Sequence, residues 1–352
     1  MMHLAVKSVP ASLELTTGAT QQEWDRFVGS HPNASGYHAW NWRRVFEEAF
    51  GHETIYLAAR EHDEIVGILP LVMFRSRLFG HFAVSLPFVN YGGVCARDAE
   101  VADALVERAR AIAVERRLAH VELRHTARLL PHLPAREHKV GMYLSLERDA
   151  ARAWDAIDRK ARNHVRKAEK SGLTTRAGGK ELLDPFYRVF AHNMRDLGTP
   201  VYAIRFFERV LAAFPDSARV YLVDKGDVTI AGGITLAHRA TLEVPWASSL
   251  RQYRPLCPNN LMYWRIIEDA IAAGWRTLDF GRSTPNEGTF HFKQQWGAEP
   301  RPLHWEYVLR DGGELPNLSP SNPRYRKAID LWTRLPLPIT NLIGPHIIRS
   351  IP

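Results

Sequence analysis

Asp279, Arg282 and Lys293 are the residues of this chain whose types and spacing best suit chemistry. The apolar stretch Leu278-Asp279-Phe280-Gly281-Arg282-Ser283-Thr284 reads as a short strand running into a polar, glycine-bearing loop, and Gly288 to Gly297 follows closely. In Phe290-His291-Phe292-Lys293 apolar and basic residues alternate, which predicts a second strand with His291 and Lys293 on one face. A lysine fixed there suits an electrophilic role. Attack of an amine on an ester or thioester carbonyl builds an oxyanion, and a preorganised cation stabilises it. Asp279 is the nearest candidate base, and pairing with Arg282 would make it weakly basic. The plain alternative for Lys293 is an ordinary surface lysine on an edge strand.

Two further segments are placed to hold a ligand near these residues. Trp246-Ala247-Ser248 through Tyr253, Asn259, Asn260 and Tyr263 is dense in hydrogen-bonding side chains and leads into an amphipathic helix from Asn260 to Ala273. Asn259 or Asn260 is expected to cap that helix, leaving free amides for an anion; capping alone is the competing reading. Between Trp154 and Arg176 a second helix carries Trp154, Ile157, Ala161, Val165 and Ala168 on one stripe and Arg159, Arg162, Arg166 and Lys170 on another. From Arg159 to Arg176 seven Lys or Arg face one acid, Glu169, a local charge of +6. Such a density reads as an anion-binding face, against the alternative of a solvated helix surface.

The elements that must position these groups recur. Val220 to Leu236 aligns without gaps on Ile55 to Leu71 at an offset of 165, with identities at 56/221, 57/222, 65/230, 67/232 and 71/236. Each apolar hairpin follows an aromatic helix (Trp42 to Phe50, Phe206 to Phe214) and precedes a loop, a helix and a strand ending in Arg124 or Arg282. The first of these loops, Ser85 to Gly93, has glycines that let backbone amides approach a ligand. The repeat predicts an α+β chain of two tandem domains, each a mixed β-sheet flanked by helices, over 1–150 and 151–310. The proline-rich apolar tail 311–352 is expected to pack back on the first domain or to touch a membrane peripherally.

Length and composition fit that reading. The 352 residues suffice for two domains, and 45% hydrophobic with 24% charged residues is an ordinary globular balance. A net charge of +8 points to an anionic partner. Cys95 and Cys257 lack metal or disulfide spacing, and the histidines at 120, 125, 132 and 138 are irregularly spaced, so no metal is expected. Met1 to Thr20 does not read as a signal peptide and no run is long enough to span a bilayer, which favours the cytoplasm. No GxSxG, P-loop, HExxH or GxGxxG pattern is present, and the Asp279-Phe280-Gly281 triplet lacks the other kinase motifs.

Arg162-Asn163-His164-Val165-Arg166-Lys167-Ala168-Glu169-Lys170-Ser171-Gly172-Leu173, Asp279-Phe280-Gly281-Arg282 and Phe292-Lys293-Gln294-Gln295-Trp296-Gly297 together resemble the Fem family of peptidoglycan-bridge aminoacyltransferases. Within it they are most similar to the FemAB-like branch associated with exosortase (PEP-CTERM) systems, and the likeness includes the terminal Pro-Leu-Pro-Ile-Thr-Asn-Leu-Ile-Gly-Pro. The resemblance implies two GNAT-like domains and transfer of an aminoacyl or acyl group to an amine of a cell-envelope precursor, peptidoglycan or exopolysaccharide. The donor would be aminoacyl-tRNA or acyl-CoA, with no tightly bound cofactor, no metal and no DNA. It assigns transition-state stabilisation to Lys293 and binding of acceptor phosphates or tRNA backbone to Arg162 and Arg166, with Asn163, Arg282, Phe292 and Trp296 beside them. The chain lacks the coiled-coil insertion of some bridge-forming enzymes, and the R/Q-x-x-G-x-G/A loop usual in acyl-CoA enzymes. Competing functions are an acyl-CoA-dependent acetyltransferase and a non-catalytic binding protein of polysaccharide export or protein sorting.

Overall fold

The computed structural model describes residues 13–76, 79–310, 313–316 and 323–351. Most of the N-terminal stretch read above for a signal, and parts of the tail, lie outside them. In chain order the elements are β1 (Leu13–Thr16), α1 (Gln21–Ser30), α2 (Asn41–Phe50), β2 (Thr54–Glu61), β3 (Glu64–Ser76), β4 (Gly80–Val84), β5 (Cys95–Ala96), α3 (Ala99–Glu115), β6 (His120–His125) and β7 (Ala135–Ser145). There follow α4 (Ala150–Ala156), α5 (Arg159–Lys170), β8 (Leu173–Gly178), α6 (Leu183–Asp196), α7 (Ile204–Ala213), β9 (Ala218–Lys225), β10 (Val228–His238), β11 (Thr241–Ser249), α8 (Pro258–Ala272), β12 (Thr277–Ser283), α9 (Gly288–Gln294), β13 (Glu299–Leu309), α10 (Pro323–Trp332) and α11 (Leu337–Ile348). The fold is the expected tandem α+β arrangement.

The strands do not form two separate sheets. They make one mixed 13-stranded sheet in the order β1-β2-β3-β4-β6-β13-β7-β12-β11-β10-β9-β8, with β5 added to β3. The last strand of each half is exchanged: β13 inserts beside β6, Leu309 opposite His120, while β7 lies beside β12, Ser145 opposite Thr277. β13 and β7 pair with each other, so the exchange fuses the halves through backbone hydrogen bonds.

The two hairpins are duplicates, with a correction to their alignment. β2 and β3 turn at His62-Asp63, where Glu61 pairs with Glu64, and β9 and β10 turn at Gly226-Asp227, where Lys225 pairs with Val228. Both carry a bulge at the equivalent place, Val66 and Ile230 being the extra residues. The structural offset is therefore 164, and Tyr56 corresponds to Val220 rather than Tyr221. Because side chains alternate faces along a strand, a one-residue slip reverses every inward position, so the five identities are not structural equivalents.

The two aromatic helices predicted ahead of the hairpins pack on each other. Phe50 of α2 lies 5.2 Å from Phe206 of α7, and Trp42 lies 5.0 Å from Phe214. With Phe88, Phe186, Phe190, Phe207 and Trp246 they form one apolar cluster shared by both halves. Burying each such ring contributes roughly 1.5–3 kcal/mol, which makes this seam as cohesive as a domain interior.

Candidate active site

The site is built where β11 and β12 part. The two strands run parallel and pair over Thr241–Thr277, Leu242–Leu278 and Glu243–Asp279, and the pairing stops there although both continue. On its other edge β12 bulges against β7 between Asp279 and Arg282. Gly281 takes a left-handed φ of +73°, a conformation that favours glycine, and a Cβ there would lie 3.0 Å from the Asn90 amide. The freed Gly281 N–H turns inward and donates to Asp279 Oδ1 at 2.8 Å.

Asp279 is fully buried and accepts a second bond from the Tyr91 hydroxyl at 2.9 Å. Burial pushes its carboxyl up to about 6, against the opposing pull of the Gly281 and Tyr91 hydrogen bonds and the Lys293 charge. Its rung partner Glu243 is also buried, accepting from Tyr37 Oη at 2.7 Å and from the Asn90 amide. Burial, then the nearby Asp279 charge, drives Glu243 well above the usual carboxylate range. Glu243, its partners Tyr37 and Tyr91, and Tyr143 line a cavity of about 640 Å³ that opens between the two halves.

Lys293 approaches Asp279 from α9, outside the residues that line this cavity, which corrects the strand expected over Phe290 to Lys293. Phe290, Lys293 and Trp296 are buried at a spacing of three while His291 is exposed, a helical period, and Gly297 in the left-handed region (φ +84°) follows the helix. A run this short satisfies both periods, and the Pro285-Asn286 turn before it favours starting a helix. The ammonium donates to the carbonyls of Gly281 at 3.1 Å and Arg282 at 3.0 Å. An ammonium has three donors, and the third has no partner among the described residues. Burial lowers its pKa to about 8, with the Asp279 charge pulling the other way.

The expected Asp279–Arg282 pairing is absent. The Arg282 guanidinium instead lies 5.6 Å from the Trp305 ring centre, and Arg124 lies 4.4 Å from the same ring. Arg124 is committed to Glu122 at 2.7 Å, whereas Arg282 Nη1 is enclosed with no hydrogen-bond partner among the described residues. Burial, and next the Arg124 charge, lower the Arg282 pKa to about 10. One nitrogen of the Arg282 guanidinium is thus left without an acceptor among the described residues.

The remaining candidates fall into separate groups. Arg162, Asn163 and Arg166 lie on α5, Arg162 beside Asp155 at 3.6 Å and Arg166 stacked 5.3 Å from Trp154. Tyr263 contacts Phe280, Phe292 and Trp296, an apolar floor under α9 rather than a polar lining. Trp246 is core, edge-on to Phe206 and Phe207, and Ser248 is buried, accepting from Asn193. Tyr253 sits in the turn before α8, half-buried against the second-half core. Neither Asn259 nor Asn260 caps α8: the helix starts at Pro258, and Cys257 in a left-handed conformation precedes it. Proline at the first helical position needs no cap for its missing N–H. Asn259 Oδ1 and Asn260 Nδ2 are enclosed without partners at that helix start.

Sequence reasoning missed Glu243, Tyr91, Asn90 and Tyr37. Glu243 was visible as an acid inside the apolar run Leu242-Glu243-Val244-Pro245, where an acid is rarely buried without a task.

Residues 157–294, in the second half of the chain, match the family model described as an acetyltransferase (GNAT) domain. FemX superposes on 90% of this chain and over 100% of its own length with a TM-score of 0.67 at 16% identity. A tandem GNAT protein from the clavulanic acid biosynthesis pathway gives 0.53 at 13% identity, covering 84% of this chain and 97% of that one. L-PGS from Bacillus licheniformis gives 0.51 at 11% identity, covering 84% and 96%. At these identities the likeness is one of fold. No curated protein matches the sequence.

Proposed function

We propose that this chain is an N-acyltransferase of the FemAB type that moves an acyl or aminoacyl group onto an amine of a phosphate-bearing envelope precursor. The observation that carries the reading is the Lys293 ammonium, held by two carbonyls with one donor free, beside the Asp279–Glu243 pair at the opening between β11 and β12. The acceptor amine gives a proton to the Asp279 carboxylate and attacks the donor carbonyl carbon. A C–N bond forms, the oxyanion takes the free Lys293 donor, and the C–S or C–O bond to the donor breaks, its leaving group taking up a proton.

Acyl-CoA is the donor class that a GNAT domain implies, while nothing here supports aminoacyl-tRNA beyond the sequence resemblance. The chain's own residues fit an acyl-CoA: the start of α8 presents the unmet Asn259 Oδ1 and Asn260 Nδ2, and Arg251 and Arg254 are exposed in the turn before it. Arg282 is assigned to an anionic group of the acceptor, and Arg162 and Arg166 to its more distant phosphates. The run Arg162 to Leu173 and the terminal apolar segment support the exosortase-associated branch.

The test is transfer of a radiolabelled acyl group from acyl-CoA, and separately from charged tRNA, to amine acceptors by the full chain, with Lys293→Ala alongside. Lysine-dependent transfer from either donor supports the proposal. No transfer with any amine acceptor, or equal transfer by Lys293→Ala, removes it.

A further inference from the structure

The tail helix α11 exposes most of its large aliphatic residues. It rests on α6, and the face it buries carries Thr340, Gly344 and Ile348 at helical spacing. Gly344 brings the helix backbone so close to Val201 that a Cβ would lie 3.0 Å from the Val201 nitrogen. The rest of the helix surface, turned to solvent, carries Ile339 at 43% exposure, Leu342 at 71%, Ile343 at 36% and Ile347 at 36%, with His346 exposed among them. A surface helix ordinarily does the reverse, hiding its large aliphatic residues and exposing its polar ones. No charged residue occurs from Leu335 to Ile348, and the exposed arginines Arg334 and Arg349 bracket the segment.

We infer that α11 is the docking surface of the protein for an anionic lipid bilayer, its aliphatic face entering the headgroup boundary and the flanking basic residues meeting the lipid phosphates. Charge complementarity supports this partner: from Arg326 to Ile351 there are four exposed cations, Arg326, Lys327, Arg334 and Arg349, against one acid, Asp330. Size argues against a second copy of the chain. Four aliphatic side chains on one 12-residue helix offer a patch of a few hundred Å², well below the roughly 800 Å² per partner of a standard stable interface. A single helix whose exposed side is apolar and whose ends are basic suffices for a lipid surface. Leu331 of α10, 63% exposed, adds to the aliphatic surface of the tail. The docked helix adjoins the loop at Val201. The inference does not depend on acyl transfer, because vesicle binding is read without turnover.

Flotation of the full chain with phosphatidylcholine vesicles, with and without phosphatidylglycerol, tests it. The wild type is expected to float with the anionic vesicles only, and to be released by high salt. Leu342→Glu with Ile347→Glu is expected to lower the bound fraction about tenfold, and Arg334→Glu with Arg349→Glu to lower it to a similar extent. All four side chains are exposed, so circular dichroism and melting should match the wild type. Failure of the wild type to float overturns the inference, as does undiminished flotation of either double variant. A wild-type dimer in light scattering that Leu342→Glu with Ile347→Glu converts to monomer, with no vesicle binding, assigns the face to a second copy instead.

Discussion

Glu243 and Asp279 face each other on the last shared rung of β11 and β12, and each draws hydrogen bonds from the loop at Asn90-Tyr91 in the first half. Two buried carboxylates at one rung do not both ionise readily, so they hold a proton between them near neutrality. The proposed mechanism needs Asp279 ionised and Lys293 charged, which predicts a bell-shaped kcat/KM profile with limbs near pH 6 and pH 8. Glu243 is the member of the pair that keeps its proton, so Glu243→Gln mimics its protonated form and should leave both limbs in place. An acid limb displaced in Glu243→Gln would show that Glu243 is ionised in the working enzyme.

Lys293→Ala is expected to reduce kcat by about 10² to 10³, the range for one oxyanion donor, with KM little changed. Lys293 is already costly to bury as a cation, so the melting temperature should hardly move. Steady-state kinetics with thermal denaturation checks both parts.

Asp279→Asn should be inactive yet more stable at neutral pH. A carboxyl whose folded pKa is raised from 3.8 to about 6 contributes stability below the unfolded value, and that contribution is lost as pH rises through about 6. At pH 7 to 8 the wild type therefore carries a burden on the order of 1–3 kcal/mol that the amide does not. Urea denaturation at pH 5 and pH 8 should show the difference between the two proteins growing with pH; a constant difference would contradict the assignment.

Arg282→Met should raise KM for the proposed anionic substrate by roughly 10- to 100-fold, since Arg282 Nη1 has no acceptor of its own among the described residues. Arg162→Ala and Arg166→Ala should weaken acceptor binding less, and Arg166→Ala also loses its stacking on Trp154. Saturation kinetics on the three variants ranks them. A larger effect at Arg162 than at Arg282 would place the principal anion contact on α5.

Residues 1–150 and 151–352 expressed apart should each fail to fold, because the first lacks β13 and the second lacks β7. The whole chain is expected to unfold in one calorimetric transition. Two separated transitions would show that the exchanged strands are not needed for cooperativity.

Local order decided how much of this could be read in advance. The strand at Leu278 to Ser283 and the long helix α8 announce themselves through sustained apolar periodicity. α9 is too short for its period to be unambiguous, and its lysine, expected on a strand, lies on a helix. The hairpin duplication was visible, but chance identities one residue out of register outweighed the true pairing. The strand exchange leaves no trace in any window of sequence, because β6 and β13 meet from opposite ends of the chain. The Asp279–Glu243 rung is hidden for the same reason: α8 separates its two strands, and only the fold sets them side by side.

The insertion of β13 also governs the order in which a growing chain can be completed. His125 ends β6 and Leu309 ends β13, so 309 − 125 = 184 further residues must be translated before the β6 edge is covered. At about 5–20 residues per second that is roughly 10 to 40 s in which a nascent sheet has an open side. Open edges recruit neighbouring chains, and charged residues on the edge strand discourage them. β6 carries Glu122 and Arg124, which end buried and paired in the finished sheet. During synthesis the same two charges guard the nascent edge.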